Sequence, residues 1–116
     1  MNRLTLALGV ALAALVAAAP VAARPTTAAA TTVTVQMKEF KFALSKKTVP
    51  HGAVTFKLVN KGTIAHDFKI AGKKSKLVQP GKSGKLIVTL KAGKLKYLCT
   101  VPGHAAAGMK GVLKVT

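Results

Sequence analysis

Acidic residues are almost missing from this chain: Glu39 and Asp67 are the only two among 116 residues, against 17 Lys and 2 Arg. Two carboxylates this far apart in sequence give no pair for general acid–base work, and no Ser/His/Asp or phosphate-loop arrangement takes their place, so the sequence is read as a non-enzyme. Cysteine is nearly as scarce. Cys99 stands alone, so no internal disulfide can form. Tryptophan is absent, Tyr occurs once, and 2 Arg are few for base recognition, which argues against a specific nucleic-acid partner. No stretch after residue 32 has the periodicity of a long helix.

What is present begins with charge. The formal net charge is +17, and Lys supplies nearly all of it, a strongly hydrated positive surface that is drawn to anionic partners. Residues 1–23 read as a secretory signal peptide, with Arg3 ahead of the uncharged, Leu- and Ala-rich run Leu4 to Ala18 and small residues at Val21-Ala22-Ala23 before Arg24; an uncleaved anchor is the alternative. Residues 24–32 read as a flexible Pro/Thr/Ala lead, and 33–116 as one domain, large enough to fold around a single core without a disulfide. The protein is therefore expected to be exported, to the periplasm, cell envelope or medium. A lone thiol there faces oxidation and needs a reason to exist, such as metal ligation; an inert buried thiol is the alternative.

From Val33 onward apolar and polar residues alternate. Phe40, Phe42 and Leu44 alternate with Glu39, Lys41 and Ala43; Val54, Phe56 and Leu58 form a second run; Leu86, Val88 and Leu90 a third; Leu95, Tyr97 and Cys99 a fourth. Turns punctuate them at Pro50-His51-Gly52, Asn60-Lys61-Gly62, Ala71-Gly72, Pro80-Gly81 and Ala92-Gly93. The spacing predicts an all-β, Greek-key antiparallel β-sandwich of about seven strands. Alternation puts Cys99 inward with Leu95 and Tyr97 at a strand end. It also puts His66 on one face with Phe68 and Ile70, and Asp67 on the other with Lys69.

Cys99-Thr-Val-Pro-Gly-His104-Ala-Ala-Ala-Gly-Met109 places a thiol, an imidazole and a thioether at five-residue steps, and His66 lies upstream. Two His, one Cys and a weak axial Met are the ligand set of a type 1 copper site. The blander readings are a core histidine for His66 and a core filler for Met109. His51 is read as an exposed turn residue, Met37 and Tyr97 as packing residues. From Leu98 to Met109 no residue is charged, which suits a small apolar platform around His104; a tight loop that excludes long side chains is the alternative.

On the stretch Tyr97-Leu98-Cys99-Thr100-Val101-Pro102-Gly103-His104, continuing to Gly108-Met109-Lys110-Gly111, with Asn60-Lys61-Gly62 leading to His66-Asp67-Phe68 and Gln79-Pro80-Gly81 before a Lys/Leu/Val strand, the chain resembles the cupredoxin family, the small blue copper proteins of the plastocyanin and rusticyanin kind. The resemblance implies one copper ion, Cu(I)/Cu(II), with His66, Cys99 and His104 as equatorial ligands and Met109 as the long axial one. It implies that Asp67 braces the ligand loops through the backbone or hydroxyl of Thr100. It further implies a one-electron carrier between redox proteins. The lysine excess adds the expectation of acidic docking patches on those partners and, secondarily, of attraction to an anionic envelope surface, and the chain is read as a monomer. A copper chaperone or buffer without electron traffic is the alternative function.

Overall fold

The computed structural model describes residues 30–116 and four isolated earlier positions, Gly9, Ala11, Ala13 and Ala14. The expected signal peptide, and the expected lead up to residue 29, otherwise lie outside the described residues. Among those described, every regular element is a strand: β1 (Thr31–Lys38), β2 (Lys41–Leu44), β3 (Thr48–Val49), β4 (Gly52–Asn60), β5 (Lys69–Ile70), β6 (Lys73–Lys74), β7 (Ser83–Leu90), β8 (Gly93–Leu98) and β9 (Lys110–Val115). β1 takes in Thr31 and Thr32 of the expected lead, which pair with Val54 and Thr55.

The strands form two sheets, ordered β2-β1-β4-β7 and β3-β9-β8-β5-β6. The expected all-β sandwich is there, but neither sheet is wholly antiparallel: β1 runs parallel to β4, and β3 parallel to β9. The strand total exceeds seven because β3 and β6 are two-residue pairings that alternation cannot register.

Inward residues of both sheets meet in one core. Val33, Val35 and Met37 come from β1, Val54, Phe56 and Leu58 from β4, Val88 and Leu90 from β7, Leu113 and Val115 from β9, and all are buried. Phe68 is the aromatic hub, with ring centroids 4.9 Å from Phe56, 5.4 Å from Phe42 and 5.5 Å from Tyr97. Such contacts contribute about 1 kcal/mol each beyond area burial. They also fix the chain two residues beyond His66. Tyr97 lies over Gly111, its cross-strand partner, where a Cβ would collide with the phenol ring.

Two expectations need correction. Phe40 does not continue an inward run: residues 39–40 form the turn between β1 and β2, and Phe40 is 41% exposed. Asp67 does not face outward with Lys69. His66, Asp67 and Phe68 are all buried, because the chain here is off the ladder and joins the second sheet only at Lys69.

The loop between β4 and His66 is organised by buried Asn60. Its Nδ2 donates to the carbonyls of Ile64 and Val78, both at 2.8 Å, and its Oδ1 accepts from the Gly62 amide at 2.8 Å. Asn60→Ala removes three hydrogen bonds, one of them fully buried, and is expected to cost about 3 kcal/mol. Urea unfolding checks this: the midpoint falls at unchanged slope, whereas an unchanged midpoint shows that water replaces the amide.

Candidate metal centre

At one end of the sandwich three donor atoms converge. Cys99 follows the last residue of β8, and its Sγ lies 3.5 Å from His104 Nδ1 and 4.0 Å from His66 Nδ1; the two Nδ1 atoms are 3.1 Å apart. All three side chains are buried, His104 the least so at 7% exposure.

The backbone explains the convergence. His66 exchanges hydrogen bonds with Val78, amide to carbonyl at 3.2 Å and back at 2.8 Å. The Cys99 amide donates to the Met109 carbonyl at 3.1 Å, which continues the β8–β9 pairing one step and closes the loop. Within the loop the His104 amide donates to Val101, and the Met109 amide to His104. Gly103 and Gly108, at φ 82° and 116°, take conformations that side-chain-bearing residues avoid. Met109 is fully buried and is tied by its backbone to both Cys99 and His104.

Asp67 joins the His66 segment to this loop. Its Oδ1 accepts from the Thr100 amide at 2.6 Å, and its Oδ2 accepts from the Thr100 hydroxyl. Both partners implied by the family resemblance are used.

The sequence matches the model of the family described as a cupredoxin-like domain over residues 6–115. The chain belongs to the cupredoxin-like family. Auracyanin from Roseiflexus castenholzii, in its dithionite-reduced form, is similar at 25% identity and a TM-score of 0.67, covering 77% of this chain and 99% of its own. Auracyanin A, a "blue" copper protein from Chloroflexus aurantiacus, shares the fold at 24% identity and a TM-score of 0.61, over 73% of this chain and 99% of its own. A 42-residue stretch is 52% identical to the copper-resistant cuproprotein CopI of Pseudomonas aeruginosa; it amounts to 35% of this chain and 23% of that protein.

Copper is the cofactor of this cupredoxin, and the donor set fits it. The point equidistant from the three facing atoms lies inside their triangle, about 2.1 Å from each, close to the 2.0–2.3 Å bonds that imidazole nitrogen and thiolate sulfur make to a first-row metal. A hard cation such as Mg²⁺ or Ca²⁺ would want oxygen donors, and tetrahedral zinc a fourth strong one. Burial pushes the Cys99 thiol up from its ordinary pKa. Loading therefore displaces a proton and is favoured by rising pH.

Glu39, Asn60, Phe40 and Ile64 belong to this end of the molecule and were not singled out in the sequence. Glu39 matters most. From the β1–β2 turn its Oε1 accepts from the Thr63 amide at 2.7 Å, the Ile64 amide at 3.0 Å and His66 Nε2 at 3.1 Å. A proton held on Nε2 leaves the Nδ1 lone pair facing Cys99 and His104. Gly62 makes room, since a Cβ there would strike the Glu39 carboxylate. The available signal was rarity: Glu39 is one of two acids in a chain of net charge +17.

The Thr63 amide above all, helped by the Glu39 and Ile64 amides and His66 and opposed by desolvation, lowers the Glu39 pKa from 4.5 to about 2. A depressed carboxylate favours the fold fully above its unfolded value, and that contribution is lost as pH falls from 4.5 towards 2. In metal-free protein, Glu39→Gln is expected to flatten the thermal-unfolding profile across that window. A variant that kept the wild-type slope would show that the carboxylate does not couple to folding.

Proposed function

We propose that this cupredoxin is an exported one-electron carrier whose copper is held by His66, Cys99, His104 and Met109. The observation that carries the reading is preassembly. Three donors already face one another, on segments cross-braced by Asp67 to Thr100 and by Glu39 to His66. Copper supplies the Cu(I)/Cu(II) couple, and a chain that cannot rearrange around it keeps the reorganisation cost of each transfer low.

The surroundings support exchange with a partner. Phe40 packs its ring against His104 with centroids 5.1 Å apart, and is 41% exposed; Ile64, in the loop bound by Glu39, is 42% exposed. Pro102 and Ala106 are exposed on the ligand loop. An exposed apolar ring against the least buried ligand lets a redox protein approach closely, while the lysine-rich surface steers an acidic docking patch towards the molecule. Both carboxylates are occupied by structural hydrogen bonds, which supports the reading that the protein is not an enzyme.

The CopI stretch favours a second reading, copper handling in resistance. The two readings differ in metal retention. A carrier keeps its copper through many redox cycles, whereas a handling protein yields it to a chelator within a few.

Titration of the protein with Cu(II) tests the reading directly. The expected outcome is an intense thiolate-to-copper band in the red, bleached by ascorbate and missing in Cys99→Ser. A weakly absorbing complex would remove the electron-carrier proposal and bring copper handling forward.

A further inference from the structure

The outward face of the five-stranded sheet is unlike the rest of the surface. Its ladders place nine residues outward, and six are exposed lysines: Lys69, Lys74, Lys94, Lys96, Lys110 and Lys114. The other sheet has fourteen outward ladder residues, of which only Lys38, Lys41, Lys57 and Lys85 are lysine. Each sheet has two directly opposed lysine pairs, Lys69 with Lys74 and Lys94 with Lys114 here, Lys38 with Lys41 and Lys57 with Lys85 on the other, placements that oppose folding; what sets this face apart is the lysine density.

Among the described residues no acidic side chain offsets this repulsion. Glu39 and Asp67 are both at the copper end, and among the described residues the single charge pair is Glu39 with His66. Water and small ions screen this repulsion, and an anionic partner from outside would offset it further. Its shape follows from the array. The lysines occupy β9, β8, β5 and β6, strands about 4.8 Å apart, and spread along the strands from Lys110 to Lys114, a two-dimensional grid instead of a line or groove. Val112, 52% exposed, lines a cavity of about 350 Å³ with Leu98, between Lys96 and Lys110. Lysine-dense across four strands and with apolar Leu98 and Val112 at its centre, the face matches a surface that carries spread anionic headgroups above hydrocarbon.

We propose that this face binds an anionic phospholipid bilayer. The copper end stays open in that pose, because His104 lies on the loop past Leu98 and before Lys110, beyond the strand ends and not on the sheet face. The proposal is independent of what the copper does.

The test compares co-sedimentation of the copper-loaded full chain with vesicles of phosphatidylcholine alone and of phosphatidylcholine mixed with phosphatidylglycerol. The ratio of the two partition coefficients cancels whatever the apolar residues before the domain add to both. Wild type is expected to prefer the anionic vesicles, and the preference to fall about tenfold in K94E/K114E. K57E/K85E reverses a directly opposed lysine pair on the other sheet with the same change in net charge, and is expected to stay within about twofold of wild type. Circular dichroism confirms folding, and K94Q/K114Q serves if charge reversal unfolds the sheet. Equal losses in the two matched variants would assign the attraction to diffuse net charge. Stronger binding to soluble linear polyglutamate than to vesicles would assign the face to a polymer. Either result, or no wild-type preference, overturns the proposal.

Discussion

Asp67 and Thr100 hold together two segments that the sheets alone leave to separate elements. One carries His66 and is fastened by its bridge to Val78; the other carries Cys99, His104 and Met109 on the loop between β8 and β9. A buried carboxylate that accepts from both an amide and a hydroxyl is stable because its charge is met by short, charge-assisted bonds. With Thr100 displaced, the same charge would be stranded away from water, at a cost well above what the pair contributes when intact. The brace therefore behaves as an all-or-none constraint. Either the two segments sit at one separation and the donor atoms face each other, or a buried ion loses its partners.

Glu39 completes the arrangement from the opposite side. Asp67 sets where the ligand segments stand, and Glu39 sets which nitrogen of His66 looks inward. It does so while fastening the loop at Thr63 and Ile64, so ring orientation and loop position are one decision. Behind both carboxylates, Phe68 anchors the chain in the aromatic cluster and leaves His66 little freedom to swing. The result is a site held mainly by the protein's own bonds, which is why its three donors are already close enough for one metal ion.

Much of this was legible in the chain. Alternation around Leu95, Tyr97 and Cys99 placed the thiol inward at a strand end, and five-residue spacing linked it to His104 and Met109. The Asp67–Thr100 brace followed from the family resemblance. What alternation could not carry was the segment His66-Asp67-Phe68. Three consecutive buried residues violate a period of two, so a rule built on ladders sent Asp67 outward. Glu39 escaped for a related reason. It sits in a turn, and its partners Thr63, Ile64 and His66 are distant in sequence, so only the folded topology reveals the contact. Phe40 read as core because its neighbours Phe42 and Leu44 pack there, while the turn carried it to the rim beside His104 instead. Parallel pairing of β1 with β4 left no mark, since a strand's pattern records which face is buried and not the direction of its neighbour.

The scarcity of acidic residues links the site to the surface. Any carboxylate on the sheets would have been a natural partner for a cross-strand lysine, yet both stand at the copper end, engaged by backbone amides, Thr100 and His66. Two consequences follow from one composition. The site keeps fixed anionic oxygens within hydrogen-bond reach of its ligand segments, and the lysine faces keep an uncompensated field that ions damp beyond about 8–10 Å. Local geometry at the metal end is thus governed by the two acids, whereas approach of anything charged is governed by the lysines. Because the lysine-dense face lies along the strands and His104 lies past their ends, the proposed attraction to an anionic surface and the proposed contact with a redox partner would use different parts of the molecule and need not compete.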